Sequence, residues 1–164
     1  MLDGQPEARA REALTRCCGA TRWVDGMLSR RPFGDDAALM AAADAVWATM
    51  EEADVLEAFS HHPEIGADVE ALRAKFGSTA AWSEGEQSGA AGASEETLLA
   101  LRDGNVAYRE RYGFIFIVCA TGKTANEMLG LLRARLNNER AAELAIAAGE
   151  QAKITRLRLA KLGS

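Results

Sequence analysis

Gly113-Phe114-Ile115-Phe116-Ile117-Val118-Cys119-Ala120, with Thr121-Gly122-Lys123-Thr124 behind it, is the stretch on which the fold turns. Its β-branched and aromatic residues favour an extended strand. It is the only good strand candidate in the chain, and a strand without a partner has no ladder to join. We therefore expect an all-α, single-domain, multi-helix bundle with one short extended buried segment near 114–119. The residues behind it imitate a phosphate-binding loop, but that loop needs GxxxxGK[ST], and its first glycine would fall on Ile117. Without that glycine the backbone amides cannot wrap a phosphate. No βαβ pattern surrounds the segment either. Nucleotide binding is disfavoured, and Gly122-Lys123-Thr124 is expected to be a turn and a helix start.

Outward from that segment, alanine, leucine, glutamate and arginine make helix the default. Thr124 is placed to cap a helix over 125–136, and 138–162 reads as a last long helix, disturbed at Gly149. Before the segment, Ser94 opens a helix over 94–112, with Leu98, Leu101, Val106 and Tyr108 on its apolar side. Further back, helices are expected over 6–17, 20–29, 36–50, 52–59, 67–76 and 79–84. Asp35 or Asp36 can cap the third of these. Leu39, Ala43, Val46, Trp47 and Met50 form its inner face. The fourth should stop at His62, because a residue before proline is pushed out of the helical region. The glycines of 85–93 suit a loop or a broken helix. The three tryptophans are expected mostly in the core.

A chain of 164 residues is one domain by length, residues 1–164. With 48% hydrophobic and 26% charged residues its composition is ordinary and globular. A net charge of −5 argues against a nucleic-acid binder. No stretch approaches the roughly 20 apolar residues of a membrane span, and no secretory leader is visible. Cys17, Cys18 and Cys119 have no metal-ligand spacing, so reduced thiols in a cytoplasmic protein and no metal are expected.

His61 and His62 are the only histidines, adjacent to each other and followed by Pro63. A second polar knot, Glu86-Gln87-Ser88-Gly89, comes later. A general acid/base, a fixed carboxylate and an apolar wall are the parts of a small cofactor-free site. Taken singly, each has a plain structural explanation: a core histidine, a capped turn, a piece of core.

Together they carry more. His62-Pro63-Glu64-Ile65-Gly66, Trp82-Ser83-Glu84-Gly85-Glu86-Gln87-Ser88-Gly89, Asn105 with Tyr108, the Tyr112–Ala120 stretch, Arg135 with Asn137, and Ile154-Thr155-Arg156-Leu157-Arg158-Leu159 follow one order. In order and spacing the chain resembles the OHCU decarboxylase family (2-oxo-4-hydroxy-4-carboxy-5-ureidoimidazoline decarboxylase), whose members act in urate breakdown and form S-allantoin. The resemblance runs from the first helix to about residue 160. The two central motifs are specific together; the helical flanks are not.

The resemblance implies a carboxy-lyase with a small ureide substrate, no cofactor and no metal, as a homodimer. It implies His62 as catalytic general acid and Glu86 as its partner carboxylate, orienting the ring or holding substrate nitrogens. Ser83 and Gln87 would hydrogen-bond in the pocket, and Pro63 would form a wall. Phe116, Ile117, Val118, Cys119 and Ala120 would line the substrate with backbone, and Arg158 would bind it through its planar fork. An anion beside His62 would raise the imidazole pKa. Two departures stand out. His61 makes a doublet, resolved in favour of His62 because the family's histidine directly precedes the proline. The Gly85–Gly92 region lacks a bulky apolar follow-on. The different-class alternative is a helical binding or scaffold module with the same fold.

Overall fold

The computed structural model describes residues 2–62, 67–74 and 94–162. Among them every regular element is helical, and the extended segment joins no strand. The chain divides into two compact units, Met1–His62 with Ile146–Ser164, and Pro63–Ala145.

The first unit holds α1 (Glu7–Cys17), α2 (Thr21–Leu28), α3 (Asp36–Trp47) and α4 (Glu52–Ser60), after a 3-10 turn at Leu2–Gly4. Pro6 stands just outside α1 as its N-cap. Asp35, not Asp36, caps α3, accepting from the Ala38 amide at 2.8 Å. The helix stops at Trp47, three residues short of the expectation, where 3-10-type bonds from Thr49 and Met50 tighten the turn. Leu14, Trp23, Val24, Met27, Leu39, Ala43, Val46, Ala58 and Leu159 pack into one core. Trp23 is fully buried, so its indole needs a partner; Nε1–H donates to the Ala43 carbonyl at 3.2 Å. Burial of this kind makes Trp23→Ala a loss of about 3–5 kcal/mol.

α4 carries the histidines on its end. Glu51 and Asp54 form a capping box at its start, and Asp54 also accepts from Arg22 at 2.7 Å. Glu57 accepts from the Thr21 amide at 3.0 Å and the Thr21 hydroxyl at 2.7 Å. The helix closes on His61, with His61 and His62 amides donating to Ala58 and Phe59 carbonyls. The stop before Pro63 agrees with the restriction on a residue preceding proline.

The second unit holds α5 (Val69–Leu72), α6 (Glu95–Tyr112) and α7 (Ala125–Arg135). The expected helix over 79–84 and the 85–93 region lie outside the described residues. Ser94 caps α6 as expected, and Gly113 ends it at φ 84°, a left-handed position that favours glycine. Gly104 lets α7 approach, since a methyl there would come 2.6 Å from Leu132. Leu98, Leu101, Tyr108 and Tyr112 face inward. Val106 does not: it is 40% exposed, because the inner stripe steps through 98, 101, 105, 108 and 112 and leaves 106 off its phase.

Phe114–Ala120 runs without helix between α6 and α7. Phe114 and Ile117 are buried, while the other residues are half-buried. Thr124 and Glu127 form the capping box of α7, and Lys123 Nζ donates to the Cys119 carbonyl at 2.7 Å. The Gly-Lys-Thr triplet is thus a turn and a helix start, with Gly122 at φ 77°.

The last helix, α8 (Arg140–Leu162), runs unbroken through the exposed Gly149, where a disturbance was expected. Its residues up to Ala145 belong to the second unit and the rest to the first. No helix among the described residues is long and apolar enough to cross a membrane.

Candidate functional site

His62 follows the last turn of α4 and is half-buried. It shares a cavity of about 260 Å³ with Thr15, Arg16, Gly19, Ala58, His61 and Arg158. Two arginines and two imidazoles on one small cavity make a setting for an anion. The volume is below the roughly 300–1,000 Å³ of drug-sized pockets, which suits a small ring.

Each wall has a local cause. Arg158 sits on α8, and its Nη1 donates to the Arg16 carbonyl at 3.3 Å, near the end of α1 where helical carbonyls lack partners. Gly19 follows α1 and is buried; a methyl on it would overlap the His61 side chain, so glycine is what lets His61 pack there. His61 itself is exposed.

The His62 ring is held from behind. Its Nε2 lies 2.6 Å from Gln151 Oε1 on α8. Gln151 is fully buried and donates through Nε2 to Thr155 Oγ1 at 3.0 Å; Thr155 in turn donates to the Cys17 carbonyl at 3.4 Å. Neither residue was expected to have a role. Their signal is the spacing: Glu143, Ala147, Gln151, Thr155 and Leu159 recur every fourth residue and are all buried.

Burial pushes the His62 pKa below 6.5, against the opposing pull of the Gln151 bond, and the neighbouring Arg158 and His61 lower it further. Burial outweighs the hydrogen bond here, and Glu86, whose charge was expected to raise this pKa, lies outside the described residues. The thiols of Cys17 and Cys18 are pushed up to about 11 by burial, which makes them inert core groups.

Of the residues expected in the site, His62 and Arg158 come together on one cavity. Phe116, Ile117, Val118, Cys119 and Ala120 lie in the second unit. Pro63, Ser83, Glu86 and Gln87 lie outside the described residues. The 116–120 backbone has its own support. Arg135 is buried on α7 and its Nη1 donates to the Ile117 carbonyl at 2.7 Å, with the guanidinium 4.6 Å over the Phe116 ring. Arg135 Nε donates to Glu143 Oε2 at 2.7 Å. The same oxygen accepts from the Tyr108 hydroxyl, and Oε1 accepts from Asn138 at 3.0 Å. A fully buried carboxylate is tolerable here because each oxygen has donors.

The profile of a family described as OHCU decarboxylase matches residues 3–160. The chain is 42% identical over 150 residues to the uric acid degradation bifunctional protein TTL of Arabidopsis thaliana, across 90% of this chain and 45% of that protein. It is 39% identical over 105 residues to 2-oxo-4-hydroxy-4-carboxy-5-ureidoimidazoline decarboxylase of Amia calva, across 60% of this chain and 55% of that one. The chain therefore spans about half the length of these curated relatives. A crystal structure of OHCU decarboxylase in the presence of (S)-allantoin superposes with a TM-score of 0.73 at 38% identity, over 93% of this chain and 96% of that one. A crystal structure of (S)-allantoin synthase shares the fold, with a TM-score of 0.72 at 19% identity, over 98% of this chain and 52% of that one.

Proposed function

The chain belongs to the OHCU decarboxylase family, and we propose on that footing that it decarboxylates 2-oxo-4-hydroxy-4-carboxy-5-ureidoimidazoline to S-allantoin and carbon dioxide in urate breakdown. The observation that carries the reading is the meeting of His62 and Arg158, far apart in sequence, on one small cationic cavity.

The substrate carries a carboxylate and a hydroxyl on one ring carbon, beside an imine. When the bond to the carboxylate breaks, its electron pair enters the C=N, so the substrate is its own electron sink and the reaction needs no cofactor. An enol-like intermediate remains, and protonation on one face sets the S configuration. The protein has to align the breaking bond with the imine and control that proton. His62 is the general acid, a role typically worth about 10²–10⁴-fold. In the free protein its lowered pKa leaves the ring largely neutral at neutral pH. The arriving carboxylate is an anion beside it and favours the protonated form. Arg158 presents a planar fork to the carboxylate or the ureido group.

Motif position supports Glu86 as partner carboxylate, Ser83 and Gln87 as hydrogen-bonding groups, Pro63 as a wall, and the 116–120 backbone as the substrate lining. The unbroken family match over residues 3–160 supports one functional domain. A homodimer in a reducing cytoplasm completes the proposal.

The test is stereochemical. Urate is converted in situ by uricase and 5-hydroxyisourate hydrolase, the protein is added, and optical activity is followed. S-allantoin forming faster than the spontaneous decay to racemate is expected. Racemate alone from folded protein would sink the proposal and favour a binding module of the same fold.

A further inference from the structure

Buried polar side chains need partners, and Gln151 and Thr155 face the core of the first unit from α8. Thr155 has one hydroxyl proton; Oγ1 lies 3.4 Å from the Cys17 carbonyl, which can only accept, and also bonds the Cys18 thiol, which can donate. With that proton given to the carbonyl, its oxygen accepts at 3.0 Å from Gln151, and the group of Gln151 that faces it is the NH₂. The amide oxygen of Gln151 is thereby turned toward His62. An oxygen with no proton can only accept, so the ring nitrogen 2.6 Å from it is the one that carries a hydrogen.

We infer that Gln151, oriented by Thr155, is a positioning residue that holds His62 as the Nε2–H tautomer and reserves Nδ1 for the exchanged proton. The relay begins at the end of α1, where a helix leaves carbonyls without internal partners. It then passes through two side chains one turn apart on α8 to the ring at the end of α4. Protonation of a ring so held places the new proton on Nδ1. The other charged or titratable groups around the cavity are Arg16 on α1, His61 beside α4 and Arg158 on α8. None of them accepts from Nε2, so the amide alone sets the ring's orientation among the described residues. The functional half of this inference rests on the decarboxylase proposal; the tautomer does not.

With two histidines in the chain, ring-nitrogen NMR is simple to assign, and His62→Gln removes one set of signals. In the unchanged protein, above its titration midpoint, His62 is expected to show a protonated Nε2 and a bare Nδ1. A free ring already leans this way, so the variants decide. Gln151→Glu keeps the shape, adds a charge and should move the His62 midpoint up. Gln151→Leu removes the acceptor and should move it down, with kcat falling about ten- to a hundredfold, as for other groups that orient a working histidine, and KM little changed. The pH dependence of kcat should follow the NMR midpoint in Gln151→Glu. A proton on Nδ1 in the unchanged protein would overturn the inference, as would an unmoved midpoint in Gln151→Glu with native circular dichroism. If the midpoints move as expected but the unchanged protein forms no S-allantoin, the positioning stands and the decarboxylase proposal falls.

Discussion

Replacing Glu143 with leucine should remove a large part of the protein's stability. The change takes the acceptor from Arg135, from the Tyr108 hydroxyl and from the Asn138 amide at one stroke. The Arg135 side chain is 8% exposed, so water cannot replace what it loses. Removing one partner of a buried pair costs about 3–5 kcal/mol, chiefly because the other charge is left uncompensated. Domains of this size hold about 5–15 kcal/mol in total. At about 2–4 °C per kcal/mol, the midpoint should fall by about 6–20 °C. Thermal and urea unfolding followed by far-UV circular dichroism would measure it. Adding Arg135→Met should recover at least half of the loss, because an apolar pair of similar volume is often as stable as the ion pair it replaces. A Glu143→Leu loss under about 1 kcal/mol would refute the reasoning. So would a double variant that merely sums two losses, since groups in contact must couple.

Three further outcomes are expected. His62 binds its proton less readily when folded than when unfolded, so the unfolded chain takes up the proton first as pH falls. Stability should therefore decline on acidification from about 6.5 down to the native midpoint of the ring. His62→Gln should flatten that part of a stability–pH series, and an unchanged slope would count against a buried neutral ring. Gly19→Ala should cost about 1–3 kcal/mol by crowding the His61 side chain from its Cβ outward, and adding His61→Gly, which removes that Cβ too, should relieve most of it in urea unfolding; no relief would mean that the strain lies elsewhere. Arg158→Lys should raise KM about tenfold or more with a smaller effect on kcat, because an ammonium cannot reproduce the planar fork. A fall in kcat at constant KM would remove Arg158 from substrate binding.

The helices were legible because composition and caps agreed with each other. Ser94 and Thr124 sit where the sequence put them, and Thr124 with Glu127 is a capping box that can be read from four letters. The Phe114–Ala120 segment was legible from what it lacked, a second strand. Val106 misled because its apolar character outweighed its phase on the helix. The pairing of His62 with Arg158 lies beyond any spacing rule and came only from resemblance to a family. Gln151 and Thr155 were hidden for a physical reason. Polar residues in a helix are read as its wet face, and here every fourth one points into the core. An amide from α8 meets the imidazole at Nε2, and burial rather than that amide sets the direction of the His62 pKa.

The ties between α2 and α4 give the cavity a distant handle. Thr21 and Arg22 grip α4 through Glu57 and Asp54, and Asp54 lies in its first turn. A helix of nine residues is a stiff rod about 13 Å long, with the two histidines following its far end. A sideways shift of the near end therefore travels as a tilt of the whole rod. The exposed Thr21 and the half-buried Glu57, neither of which lines the cavity, are thus places where natural variation can reset the aim of an imidazole without altering a single group around it.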